Sequence, residues 1–397
     1  MNRDTRLIAL ALLLWGFGEG LFFHIQPLYF EQLGATPVQI GGLVSIAGAV
    51  RAVSFLPAGI LADRLPRKWV MLGGWITGLT GVLLVGSARS WRGLIPGLLL
   101  YALSGYCIPV INAYLAHAAD GRNLPRVFTA VFAAYAAGGV ISPAVGGWLS
   151  QSSTMRSVYL VSALLFAFSM LAVLWVSPQP VPGCIQGGRR WLLLLNRRFL
   201  GFAGLVCLTF VAMYLAFPLA SNYLHDARGW SLAGIGTLGS FQALGAALLS
   251  PLLGRLGGRS AADGYPLASE EAPPSGGRAG GSPLGRTGGL IVGQALVWGS
   301  TLILLMAGTF PVLAVGYLLR GAYQGCRSLT QARAIALATE GNQGLMLGAT
   351  ETTIAAAQVV APYAAGWLYA NSAANPFIAS LVLIPVAIVL LLVGLGP

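Results

Sequence analysis

Apolar blocks of about 20 residues follow one another from end to end, broken by short polar or Gly/Pro-rich segments. At 1.5 Å of rise per residue, a helix of that length crosses a hydrocarbon core of roughly 30 Å. The pattern predicts twelve spans, near 7–30, 39–62, 69–88, 93–117, 125–150, 157–177, 199–224, 232–256, 288–308, 311–338, 344–370 and 374–395. The expected fold class is an all-α membrane protein with twelve transmembrane helices in two pseudo-symmetric six-helix bundles. Residues 1–177 would form the first bundle, 178–197 a cytoplasmic linker, and 198–397 the second bundle with a flexible loop at 257–287.

Composition supports the pattern. The chain has 397 residues, 56% hydrophobic and only 9% charged. So little charge cannot cover a water-soluble body of this size. The net charge of +12 is carried by short loops. If the N-terminus is cytoplasmic, the inner segments hold Arg3, Arg6, Arg64, Arg67, Lys68, Arg122, Arg126, Arg189, Arg190, Arg197, Arg198, Arg255, Arg259, Arg278, Arg286 and Arg333. The outer segments hold only Arg89, Arg92, Arg156 and Arg228. That bias is the positive-inside pattern, and it predicts a multi-pass inner (plasma) membrane protein with both termini cytoplasmic. It also accounts for the basic charge without a nucleic-acid partner. The basic start and the apolar run beyond Glu19 read as an uncleaved first span, since no A-x-A site follows.

Classical enzyme chemistry finds no foothold. Cys107, Cys184, Cys207 and Cys326 are scattered, without CxxC or histidine pairing. His24, His117 and His225 lie on different elements. No metal and no cofactor is expected, and there is no Walker A sequence for direct use of ATP. An enzyme is not expected.

The halves repeat. At a shift of 195, LGATPVQIGGLVS lies over RGWSLAGIGTLGS, so Gly34 meets Gly229, Ile40 meets Ile235 and Gly41 meets Gly236. At a shift of 219, Cys107 meets Cys326, Pro143 meets Pro362, and Gly147-Trp148-Leu149 meets Gly366-Trp367-Leu368. Parallel six-plus-six repeats place a binding site between them near the membrane midplane.

Two stretches are specific. GILADRLPRK, at 59–68, concentrates charge between apolar runs. It resembles the loop 2–3 signature of the major facilitator superfamily, with Gly59, Asp63, Arg64, Arg67 and Lys68 on the pattern and Pro66 in place of the usual glycine. The second copy, GRLGGRS, has Gly258 where Asp63 sits. GGVISPAVGGWL, at 138–149, resembles the antiporter motif of the same superfamily. Pro143, Gly146 and Gly147 match, with Ser142 where glycine is expected. The resemblance implies a twelve-span transporter like the drug/proton antiporters. It implies a conformational latch at Asp63, where helix-dipole and charge-assisted contacts would contribute roughly 0.5–3 kcal/mol. Bases alone would also arise from topology, and the glycines from close packing.

Charges inside spans need a partner or a wet cavity, because an ionisable group at mid-bilayer costs about 2.5–3.5 kcal/mol on insertion scales. Glu19 and Arg51 fall at similar depth and could pair. Arg327 and Glu351 fall at another shared depth. Arg320, Gln324, Arg327 and Gln331 recur on one helical face. Static ion pairs would explain both sets. The functional alternative is a carboxylate that exchanges protons, and Glu19 is favoured because the resemblance places span one on the central cavity. By the same resemblance, Trp15, Phe22 and Gln26 (span one), Tyr101, Ser104, Ile108 and Asn112 (span four), and Phe210, Tyr214, Phe217 and Ser221 (span seven) line that cavity. Aromatic walls with few polar groups suit an amphipathic organic solute, and they also suit ordinary helix packing.

The expected function is secondary active transport by alternating access: export of a small amphipathic organic compound in exchange for protons, by a monomer in a lipid bilayer. Sodium is the alternative coupling ion. The rival readings are a proton-driven uptake symporter for a sugar, peptide or organic anion, and a non-transporting receptor or scaffold of the same fold.

Overall fold

A computed structural model describes residues 2–118, 124–179, 197–256, 283–336 and 343–394. The side chains of 55–64 lie outside the described residues, and so does most of the expected linker and of the loop at 257–287. Among the described residues the regular structure is helical, with no strand.

Local chemistry sets the helix ends. Helix α1 (Arg3–Phe23) starts at Asn2, whose side chain accepts a hydrogen bond from the Thr5 amide at 2.8 Å. A short helix α2 (Gln26–Gln32) follows. Thr36 and Gln39 cap each other ahead of α3 (Pro37–Arg64): the Gln39 side chain accepts from the Thr36 amide at 2.9 Å and the Thr36 hydroxyl from the Gln39 amide at 3.4 Å. Pro66, with ψ 120, forms the N-cap of α4 (Arg67–Ser87), so proline serves in place of the usual glycine without strain.

The span expected at 93–117 is helical but interrupted. Helix α5 (Leu94–Leu103) passes through a 3-10 turn (Ser104–Tyr106) into α6 (Cys107–Ala118). Pro109 has no amide for the Gly105 carbonyl and crowds it, which accounts for the tightened turn. Helices α7 (Leu124–Ser152) and α8 (Met155–Leu174) complete the first half.

The second half contains α9 (Arg197–Tyr214), α10 (Ala220–Asn222), a π-helical turn (Tyr223–Ala227), and α11 (Leu232–Leu256). It continues with α12 (Pro283–Met306), α13 (Phe310–Arg320), α14 (Ala322–Ala336), α15 (Gln343–Asn371) and α16 (Asn375–Gly394). The continuous span expected at 199–224 stops at Tyr214, just ahead of Pro218, where proline would clash with the preceding turn.

Among the described residues nine helices are long and apolar enough to cross a membrane. Three of the twelve expected spans do not qualify by that measure. Leu200–Tyr214 is short; the pair α13 and α14 is divided at Gly321 and carries the polar stripe; and α15 carries Thr350, Glu351, Thr352, Thr353 and Gln358.

The helices cluster into two compact units. The first holds the described residues up to 179 together with 216–243 and 358–376; the second holds the remainder. Lipid is as apolar as leucine, so helices in a bilayer are held by close backbone approach and internal hydrogen bonds. In the first unit, a Cβ at Gly146 would strike the Leu21 backbone, and one at Gly20 would strike the Ser142 hydroxyl. One face of α7 therefore lies directly on α1. Trp75 donates to Ser169 at 2.7 Å, and Ser169 donates to the Ala11 carbonyl at 2.6 Å, tying α4, α8 and α1 together.

The duplication is visible in the geometry. The only positive-φ residues among those described are Gly34 (φ 87) and Gly229 (φ 69), the pair matched at a shift of 195. A Cβ at Gly41 would meet Pro362 and Gly366, and one at Gly236 would meet Pro143 and Gly147. These are the same contact made twice, with the partners exchanged. The Cys107 thiol donates to the Met71 carbonyl at 3.4 Å, and the Cys326 thiol to the Leu290 carbonyl at 3.9 Å; both donor and acceptor are offset by the same 219 positions.

Candidate functional site

The first unit encloses a cavity of about 180 Å³. Its wall comes from α1 (Leu12, Trp15, Glu19), α3 (Arg51), α4 (Trp75), α5 (Tyr101), the 3-10 turn (Ser104), α6 (Cys107, Ile108, Ile111) and α7 (Phe132, Tyr135). Glycine lets these helices come together: a Cβ at Gly78 would collide with the Trp15 ring, and one at Gly74 with the Cys107 sulfur. Trp15 stacks on Phe166 with ring centres 4.0 Å apart and meets Trp75 edge-on at 5.4 Å. The aromatic floor is therefore rigid.

Charge is sparse and specifically placed. Tyr135 donates its hydroxyl to the Glu19 carboxylate (Oε2) at 2.7 Å. Arg51 lines the same cavity, its alkyl chain lying beside Gly105. Glu19 and Arg51 share this cavity but form no ion pair within 4 Å; among the described residues the one ion pair is elsewhere. So the carboxylate is held by a neutral phenol while the cation stands apart, across a small apolar chamber. Such a carboxylate keeps lone pairs for a proton or a cationic group, and the guanidinium keeps its donors for the carboxylate or an anion.

Of the residues expected along the cavity, Trp15, Glu19, Arg51, Tyr101, Ser104 and Ile108 are brought together. Phe22 is instead buried in packing, edge-on to Tyr101 at 5.6 Å and stacked on Tyr159 at 5.0 Å. Gln26 does not line the chamber. Asn112 has a buried carbonyl oxygen with no partner and does not line the chamber. Ser221 is buried away from it, and Phe217 does not line it. Tyr135, Trp75 and Phe132 were not anticipated. A signal for Tyr135 existed: it shares a helical face with Gly138, Ser142 and Gly146, the face that lies on α1.

The second unit treats its charges differently. Arg327 grips Glu351 with two bonds, Nη2 to Oε2 at 2.5 Å and Nε to Oε1 at 3.4 Å, and Gln331 donates to the same carboxylate. The pairing expected from depth is present. The four-residue stripe is not one site, however. Gln324 is exposed, and Arg320 is buried with its guanidinium 5.4 Å from the Tyr317 ring centre. Phe210 and Tyr214 pack on Tyr323, with ring centres 5.5 and 5.9 Å away.

The side chains of Gly59, Asp63 and Arg64 lie outside the described residues. Arg67 donates to the Ala113 carbonyl at 3.1 Å and to Gln179 at 3.0 Å, and Lys68 lies 5.7 Å from the Trp69 ring centre. Nearby, Tyr114 donates to Asp4 at 3.0 Å and to the Ser177 carbonyl at 2.8 Å. Arg67 is thus tied to α6 and to the segment after α8. In the second motif, Ser142 faces Gly20, and Gly146 packs on Leu21. Gly147 faces the Leu232 carbonyl and Gly236 on α11, and the Ala144 amide donates to Ser240 at 3.1 Å.

A family profile described as Major Facilitator Superfamily matches residues 8–268. "Multidrug resistance protein MdtG" of Proteus mirabilis is 26% identical over 282 residues, 66% of this chain and 69% of that protein. The chain spans about two thirds of the length of the MdtG relatives it matches. "Quinolone resistance protein NorA" of Staphylococcus aureus is 24% identical over 181 residues, 45% of this chain and 47% of that protein. Among solved structures, the nucleoside transporter NupG superposes with a TM-score of 0.74 at 16% identity, covering 99% of this chain and 98% of that one. At that identity the likeness concerns the fold alone.

Proposed function

Because the chain belongs to the major facilitator superfamily and is a multi-pass membrane transporter rather than an enzyme, we propose that it exports small amphipathic organic compounds in exchange for protons. The observation that carries this reading is Glu19: a membrane-embedded carboxylate in an aromatic chamber, bonded to Tyr135 and not paired with Arg51. Glu19 binds either a proton or the cationic part of a substrate. Arg51 is the competing counter-charge when Glu19 is ionised, so loading with substrate favours loss of the proton and the reverse. Trp15, Trp75, Tyr101 and Phe132 supply the apolar and cation–π surface. The relatives described as multidrug and quinolone resistance proteins support export over uptake. The charge bias supports placing the basic ends of the helices, with both termini, in the cytoplasm of a bacterial inner membrane. Asp63, with Gly59, Arg64, Arg67 and Lys68, is the conformational latch at that basic end.

Transport in everted membrane vesicles tests this. A lipophilic cationic dye should accumulate inside acid-lumen vesicles, collapse on dissipation of the pH gradient, and fail to accumulate with Glu19→Gln. Accumulation that is unchanged by the gradient or by that variant would overturn proton-coupled export.

A further inference from the structure

A second carboxyl site lies at the opposite end of the first unit from the basic loops. Glu31, in α2, faces Asn222 at the end of α10 and, four residues on in the π-helical turn, Asp226, and the two carboxyl groups are close enough for each to shift the other's proton affinity. Two carboxylates have only acceptors, so a bond between them forms only when the pair carries a proton. Asn222 donates its side-chain amide to Glu31. The same amide is 1% exposed, and its carbonyl oxygen has no partner. A buried acceptor with no donor is costly; turned over, that amide would accept a hydrogen bond from a protonated Glu31.

We propose that Glu31 and Asp226 form a shared-proton site that holds these ends of the two repeats together when it carries one proton and releases them when it carries none.

The surroundings fit. Glu31 comes from the first repeat; Asn222, His225 and Asp226 come from the second. Around them the repeats are already in contact at Gly41 with Pro362 and at Gly147 with Gly236, and Gln151 accepts from the Ala233 amide at 3.1 Å. The other ionisable groups facing the pair are few. His225 is nearby and turns its Nδ1 to the Trp230 carbonyl at 2.9 Å. Tyr369 of α15 and Tyr223 also approach, and Arg228 is drawn aside, donating to the Tyr223 hydroxyl at 3.2 Å and covering its ring. Burial pushes the Glu31 carboxyl above the usual range; Asp226 raises it further, against the lowering by Asn222 and His225. Burial also pushes Asp226 up, against the lowering by His225 and Glu31. A raised proton affinity in the closed arrangement favours closure at low pH, and that contribution is lost as pH rises through the raised range. Asp226 remains open to solvent on one side, so the proton can exchange. With this end facing the periplasm, as the export reading has it, an incoming proton would close the outer mouth before it is passed inward.

The test uses full-length protein in lipid nanodiscs, with native cysteines replaced and spin labels at Ser90 and Ser372, exposed positions at this end of each repeat. Between about pH 5 and about pH 8, which bracket a raised carboxylate range, the inter-label distance should lengthen. Glu31→Gln and Asp226→Asn should each hold the short distance at both values, and Glu19→Gln should respond like the wild type. A wild-type distance unchanged with pH would overturn the proposal, as would both outer variants responding normally. Loss of the response in Glu19→Gln alone would overturn it too, by moving the titration to the chamber; failed dye transport with an intact distance shift would count against the export reading only.

Discussion

Glu19 in the first half and Glu351 in the second are both carboxylates on long helices, and their partners differ in charge. Glu351 receives two bonds from a guanidinium and a third from Gln331, so three of its roughly four acceptor sites are taken and its charge is balanced in place. Glu19 receives a bond from a neutral phenol and faces an open chamber with Arg51 unengaged. Under the proposed mechanism the same residue type serves as structure in one half and as an exchangeable group in the other. The distinction lies in what the neighbouring helices present, since both carboxylates have an arginine at matching depth.

The comparison can be broken in several ways, beginning with the largest effect. Glu19→Gln should reduce proton-coupled dye flux to background with normal expression, measured in everted vesicles; retained coupling would make Glu19 structural. Glu351→Gln should act on stability instead. Leaving Arg327 without its counter-charge costs about 3 kcal/mol for a largely buried pair and less here, because both side chains are about a third exposed (33% and 28%). Thermal unfolding in detergent should show the loss, while the ratio of protons to dye stays unchanged. Tyr135→Phe removes one bond to a carboxylate, roughly 1.5–3 kcal/mol, and should shift the pH midpoint of flux without abolishing it. Ser240→Ala removes a hydroxyl that accepts from the Ala144 amide, about 1 kcal/mol, and should slow transport slightly with substrate affinity unchanged.

Much of this was legible in the sequence because membrane helices declare themselves by length and because the repeat could be aligned. The positive φ of Gly34 and Gly229, and the mirrored contacts of Gly41 and Gly236, fall where the internal alignment set them. The resemblance placed span one on the cavity, and depth arithmetic put Glu19 level with Arg51 and Arg327 level with Glu351. It could not say which pair would close, because rotamers and a distance of a few ångströms decide that. Tyr135 was missed since one tyrosine in an alanine-rich helix has no periodic signal of its own; only the glycine face beside it points toward α1. The bond from Asn222 to Glu31 joins residues far apart in the chain, on short irregular elements that carry no apolar period. The breaks at Ser104 and after Tyr214 follow from Pro109 and Pro218, which hydropathy alone passes over.

Infrared difference spectroscopy on reconstituted protein tests the central contrast most directly, by following carboxyl protonation as substrate is added. The account predicts that wild type and Glu351→Gln both lose a protonated-carboxyl band on substrate binding, and that Glu19→Gln shows no such loss. A loss on substrate binding that persists in Glu19→Gln and is absent in Glu351→Gln would contradict it.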